Sequence, residues 1–384
     1  MTPSPRAPRS EALDALRGLV MVLMTLDHAR DFFADGFRHD PTDLGHTTPA
    51  LFVTRWVTHL CAPVFVFLAG LSAALYGRAR SAPEVSRFLV TRGLWLVLLE
   101  LTVLRLGWTP EPRWRFTLLQ VIWALGWSMV ALAALSRLPR WALASVGGAL
   151  VLLHNLTDGV RVLGSWRWLW AILHRPELLE PVAGHRFYVA YPLVPWIGVM
   201  ALGFAFEPLW REPAGRPSRL ARLGAALVAL FVLLRATNLY GDPSPWSAQP
   251  TALFTVFSFV NCTKYPPSLL YLCMTLGPAL LGLAALERWE GGAWRRPLVV
   301  LGRAPLFYYI LHLILLRWTA GPLALLRYGM DGIGPPPRGH LGSPGYPLWG
   351  AYVAWAFAVA VLYEPTRRFA EFKARRPGSL WTYL

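Results

Sequence analysis

The chain has 384 residues, of which 55% are hydrophobic and only 15% charged, with a mean hydropathy of +0.41. That balance excludes the two or three soluble domains that length alone suggests, and it points to one continuous membrane domain. The net charge of +16 does not indicate nucleic-acid binding, because the basic residues sit mainly in short loops between apolar runs, where topology accounts for them.

The opening MTPSPRAPRS, residues 1–10, reads as a disordered tail. It is not followed by a short apolar core and a small-residue cleavage site, so the first span is expected to be retained. Apolar runs near the roughly 20 residues needed to cross a bilayer then recur at 13–33, 51–76, 88–107, 116–135, 141–157, 186–207, 219–237, 268–286, 297–318 and 347–364. The expected fold is an all-α polytopic bundle of about ten transmembrane helices over residues 11–366, followed by a basic cytoplasmic tail at 367–384. Two further apolar pieces, Trp166 to Leu173 and Ala252 to Val260, are too short to cross. Most loop Arg and Lys fall in the N-terminal tail, the even-numbered loops and the C-terminal tail, which places both termini in the cytoplasm. Cys61, Cys262 and Cys273 have no metal-ligand or disulfide spacing, and no metal is expected.

The first span, DALRGLVMVLMTLDHARDFF, carries Asp14, Arg17, Asp27, His28 and Asp31. Eleven steps at 100° bring Arg17 and His28 to within about 20° of one helix face, roughly 16 Å apart along the axis. Asp14 lies three residues before Arg17 and Asp31 three after His28, so each basic group has a carboxylate in reach. Ionisable groups in a membrane face a bundle interior or an aqueous cavity. Imidazole suits proton transfer near neutral pH, so His28 reads as a general base, its tautomer held by Asp27 or Asp31.

Four segments together, LDALRGLVMVLMTLDHARDFF, LFVTRWVTHLCAPVFVFLAGLSAAL, NCTKYPPSLLYLCMTLGP and GRAPLFYYILHLILL, resemble the bacterial relatives of heparan-α-glucosaminide N-acetyltransferase, within the wider transmembrane acyltransferase superfamily. A basic residue followed by ten residues and a His on the first helix is a hallmark of the acyltransferase branch, and Arg17 to His28 is similar to it. The resemblance implies an integral protein of the bacterial cytoplasmic membrane that moves an acyl group, usually acetyl, from cytosolic acyl-CoA to a sugar hydroxyl or amine on the far side. In the lysosomal enzyme the catalytic His falls in the segment after this helix, and that segment here offers His39 and His46. The base therefore stands between His28, which we prefer, and His46, whose neighbours Thr47 and Thr48 also suit a helix cap.

Other segments supply candidate roles. Arg55 and His59 share a face of the second span and read as structural. Lys264 and Tyr265, before a Pro pair, sit at an outer mouth where they can orient a substrate. Arg303 joins Asp14 and Arg17 at the cytoplasmic level, suited to the phosphates of acyl-CoA, while Tyr308 and His312 share a face in mid-span and line the site. Lys264 or Tyr308 is the candidate donor to an oxyanion. The partners expected are acyl-CoA, a carbohydrate or glycoconjugate acceptor and the lipid bilayer, with homo-oligomer formation left open. The alternative from another class is a proton-coupled transporter of a small polar or anionic solute, since buried Arg, Asp and His also build proton relays. Against it, no internal repeat of the kind many transporters carry is visible.

Overall fold

The computed structural model describes residues 10–34, 40–109, 113–289, 291–333 and 342–376. It is 73% helical. The helices run α1 (Glu11–Phe33), α2 (Pro49–Val57), α3 (Cys61–Gly77), α4 (Ala82–Leu99), α5 (Arg105–Trp108), α6 (Val121–Leu135), α7 (Arg140–Leu153), α8 (Arg167–Leu173) and α9 (Leu193–Ala205). They continue with α10 (Glu207–Arg211), α11 (Arg216–Thr237), α12 (Ala252–Val260), α13 (Leu269–Arg288), α14 (Arg295–Arg303), α15 (Pro305–Tyr328) and α16 (Leu348–Arg375).

Six stretches among the described residues are long and apolar enough to cross a membrane: Pro49–Gly77, Leu193–Arg211, Arg216–Thr237, Leu269–Arg288, Pro305–Gly332 and Leu348–Arg375. The protein is thus an integral membrane helical bundle. The central element is α1, long enough at about 35 Å to span but too charged to face lipid. It resolves that conflict by being enclosed, touching α2, α3, α13, α14, α15 and α16 and burying 17 of its 23 residues. Ser10 caps its start, its side chain accepting from the Leu13 N–H at 3.4 Å. Glu11 and Asp14 in the first turn and Arg30 in the last complement the helix dipole.

Two expectations meet a different outcome. The run 297–318 is divided, because the helix ends at Arg303, Ala304 leaves helical geometry, and Pro305 opens α15, a position where its missing N–H costs nothing. The purely helical reading also overlooked a three-stranded sheet of β1 (Phe116–Leu119), β2 (Glu177–Val182) and β3 (His185–Val189), ordered β1-β3-β2. β1 runs parallel to β3, with Phe116 opposite Arg186 and Leu119 opposite Val189, while β2 is antiparallel to β3.

Glycines set the closest helix crossings. Gly93 of α4 faces Gly126 of α6, Gly147 of α7 faces Gly198 of α9, and Gly224 of α11 faces Gly277 of α13. Backbones meet without intervening side chains, the packing mode that lipid favours because apolar burial alone gives helices little reason to associate there. At the crossing of α1 and α14, a Cβ on Gly302 would lie 1.8 Å from the Asp14 carbonyl oxygen, and one on Gly18 would lie 1.8 Å from that of Leu298. Gly302→Ala is therefore expected to destabilise the fold by about 1–3 kcal/mol or more, read as a lower thermal midpoint in detergent. Gly282→Ala, where a Cβ meets nothing within 4 Å, is expected to be neutral or mildly stabilising.

Candidate active site

The last turns of α1 present Asp27, His28, Arg30 and Asp31, all buried or half-buried. The Asp27 carboxylate is the hub. Its Oδ1 accepts from Arg30 at 2.7 Å, from Arg55 at 2.8 Å and from the Thr58 hydroxyl at 2.6 Å, while Oδ2 accepts from Arg55 at 2.7 Å and lies 4.0 Å from Lys264 Nζ. Arg30 also donates to Asp31 at 2.5 Å. Two carboxylates, Asp27 and Asp31, thus meet three cations, Arg30, Arg55 and Lys264, leaving one positive charge in excess.

His28 takes a different partner from the carboxylates expected for it. Its Nδ1 lies 2.7 Å from Nε2 of His312, the two rings nearly coplanar at 6°. His312 Nδ1 lies 3.1 Å from the carbonyl oxygen of Tyr308. A carbonyl can only accept, so with both rings neutral His312 carries its proton on Nδ1, its Nε2 accepts from His28 Nδ1–H, and His28 Nε2 is left with a lone pair. Trp108 packs edge-on against His28 at 4.9 Å and Tyr309 at 6.0 Å, fixing the ring.

A narrow cavity of about 70 Å³ is lined by Asp27, His28, Asp31, Arg55, Trp108, Gln120, Tyr191, Lys264 and Tyr265, with Met24, Cys61, Ala62, Phe65 and Val121 as its apolar wall. The sheet delivers two of these. Gln120 directly follows β1 and Tyr191 closely follows β3, and pairing of those strands, continued by the Ala190 N–H to Leu119 oxygen bond at 3.1 Å, brings both to the cavity. Lys264 is held by a rigid loop. Buried Arg235 donates to the carbonyls of Ser244, Ser258, Phe259 and Asn261 at 2.7–3.0 Å. Asp242 accepts from the Thr263 N–H at 2.8 Å and from the Ser268 hydroxyl at 2.6 Å. Burial pushes the Tyr265 phenol up, but Lys264 and Arg55 outweigh it and hold the group below its ordinary value. A wider hollow of about 630 Å³, lined by Arg113, Arg115, Glu180, His185 and Arg186, lies at the opposite end of the strands. Its described lining side chains are all exposed, whereas His28 in the narrower cavity is buried.

At the other end of α1, Arg17 donates to Asp14 at 2.9 Å and to Ser72 at 2.5 Å. Arg303, 42% exposed at its side chain, stands 3.8 Å from both Asp14 and Glu11. The expected donor-side group Asp14, Arg17 and Arg303 is therefore together. Tyr308 is fully buried, its hydroxyl 2.9 Å from Thr25 Oγ1, and it reaches the site through its carbonyl rather than its phenol. His46 lies apart from the cavity lining, exposed and paired with Asp43 at 2.6 Å, and Thr48 caps α2. His39 lies outside the described residues. The sequence reading missed Arg30, Trp108, Gln120 and Tyr191 and read Arg55 as structural. The one local signal for Arg55 was its position a single turn before His59.

Residues 9–239, more than half of the chain, match the family described as heparan-alpha-glucosaminide N-acetyltransferase, catalytic. The chain belongs to this family. It is accordingly a multi-pass membrane acyltransferase, and heparan-alpha-glucosaminide N-acetyltransferase membership does not favour the transporter alternative. No curated protein matches the chain. The matched segment carries Asp27, His28, Arg55, Gln120 and Tyr191, while Lys264, Tyr265, Arg303 and His312 lie beyond it.

Removing charge from the hub leaves buried cations uncompensated. Asp27→Asn is expected to destabilise the fold by about 3–5 kcal/mol, read as a lower thermal midpoint in detergent. Asp31→Asn removes only one contact to Arg30 and is expected to cost less.

Proposed function

We propose that the protein transfers an acetyl group from cytosolic acetyl-CoA to a hydroxyl or amine of a sugar on the opposite side of the membrane, with His28 as general base. The reading also takes the charged α1, the α4 to α5 segment, α6 and α7 as crossings beside the six apolar stretches, for ten in all with both termini cytoplasmic. The observation that carries the reaction is the hydrogen-bonded chain from the Tyr308 carbonyl through His312 to His28, which leaves an unprotonated Nε2 on a residue lining a cationic cavity.

In the reaction, His28 Nε2 accepts the proton of the acceptor O–H or N–H as its oxygen or nitrogen attacks the thioester carbonyl. The developing oxyanion is stabilised by Arg55 and Lys264, whose surplus charge acts in an enclosed site where water screens it little. Collapse of the tetrahedral intermediate breaks the carbon–sulfur bond, and the imidazolium returns its proton to the departing CoA sulfur. Asp27 orients the cations rather than His28. Arg17 and Arg303 hold the donor phosphates some 16 Å down α1, a distance an extended pantetheine arm covers.

The test is acceptor-dependent release of free CoA by the purified protein, followed with a thiol reagent alongside direct acetyl-CoA binding. His28→Gln is expected to lower kcat by about 10²–10⁴-fold with acetyl-CoA affinity nearly unchanged. His312→Gln is expected to lower kcat less, and Arg17→Ala to weaken binding with a smaller effect on kcat. Full activity in a folded His28→Gln variant would sink the assignment.

A further inference from the structure

Outside the cavity, the structure gathers a second set of ligating side chains. His154 opens the turn after α7, Asp158 follows that turn, and His174 ends α8. One ligand atom from each lies within 4.8 Å of the others. Both histidines are buried, at 5% and 4% exposure, and Asp158 is half-buried. Neither ring nitrogen of His154 has a hydrogen-bond partner of normal geometry, although the Pro267 backbone lies beside it. A buried imidazole without a well-formed hydrogen bond has lost its water contacts with little return.

We infer that His154, Asp158 and His174 form a binding site for one divalent transition-metal ion of the zinc type. Two imidazole nitrogens and one carboxylate oxygen are a zinc donor set, with a fourth position for water. Tetrahedral ligands about 2.1 Å from a metal stand about 3.4 Å from one another. Asp158 Oδ1 and His174 Nε2 are already 3.2 Å apart, so only the His154 ring has to close in. The carboxylate is oriented from behind, as metal-ligating carboxylates require: Asn155 Nδ2 donates to Asp158 Oδ2 at 2.8 Å.

The site has a structural consequence for the cavity without belonging to it. Asn155 Oδ1 accepts from the N–H of Leu269, the first residue of α13, at 2.9 Å. Leu269 follows the loop that carries Lys264 and Tyr265. A metal closing His154 onto Asp158 and His174 therefore clamps the ends of α7 and α8 together and pins the start of α13 beside the Lys264 loop.

The experiment uses full-length protein in detergent, purified with a tag free of histidine, stripped with a chelator and titrated with Zn²⁺ by calorimetry against a competing chelator. The expected result is one saturable equivalent and a thermal midpoint that rises with Zn²⁺. Co²⁺ in its place is expected to give the visible d–d absorption of a low-symmetry nitrogen and oxygen site. Asp158→Asn, which keeps the shape of the side chain, and the His154→Gln/His174→Gln double variant are expected to lose that equivalent. Asn155→Ala is expected to weaken it about 10–100-fold. Absence of stoichiometric binding by folded wild type, or equal binding by a folded double variant, would overturn the site. Because the readout is metal binding and not acyl transfer, it stands or falls independently of the role of His28.

Discussion

One carboxylate, Asp27, holds three cations inside an apolar bundle, and the arrangement of the site follows from it. A lone Arg or Lys at this depth would be strongly disfavoured. With Asp27 bonded to Arg30 and Arg55 and facing Lys264, each cation is partly neutralised and each is fixed in direction. Arg55 arrives on α2 and Lys264 on the loop before α13, so the same ion cluster draws two distant segments onto α1. The surplus of positive over negative charge makes the cavity electropositive. A buried ion cluster seldom adds much net stability; here it brings specificity of placement.

The helices around this cluster are close because their contact faces are bare. Glycine meets glycine where α4 crosses α6, where α7 crosses α9 and where α11 crosses α13, and the α1 to α14 crossing relies on Gly18 and Gly302. Backbone-to-backbone packing leaves the bulky side chains to fill the spaces beside each crossing. It also explains how α1, with so many ionisable groups, is kept from lipid: among the described residues, α2, α3, α13, α14, α15 and α16 all pack against it.

Much of the bundle and part of the site was readable from residue order. Apolar runs with basic breaks marked the helices, and the spacing of Arg17 and His28 placed them on one face with the correct division into two ends. What escaped were relations that no local pattern encodes. His28 and His312 are separated by 284 residues, so their pairing is invisible to periodicity, and the nearby Asp27 and Asp31 were the natural but different choice of partner. Arg55 looked structural because an Arg one turn from a His is ordinary on a helix face. β1 disappeared into the apolar run of α6, since a four-residue strand of Phe, Thr and Leu reads like the opening of that helix. The break at Arg303 to Pro305 was masked because both flanks are apolar, although Pro at a first helical position was the signal for it. The cluster of His154, Asp158 and His174 follows no spacing motif either, as the three side chains converge only through the turn after α7 and the end of α8.

The division of the expected ninth span into α14 and α15 has a mechanical meaning. α14 is seated on α1 through Gly18 and Gly302, while α15 grips α1 ten residues away through His312 and His28. The two short-range contacts act as a bracket across one rod, joined by the few residues around Ala304. The gap between the Arg17 level and His28 is thereby set by the protein's own register, independent of bilayer thickness. A thicker or thinner membrane is accommodated by tilt and by the outer helices, while this internal ruler keeps its length.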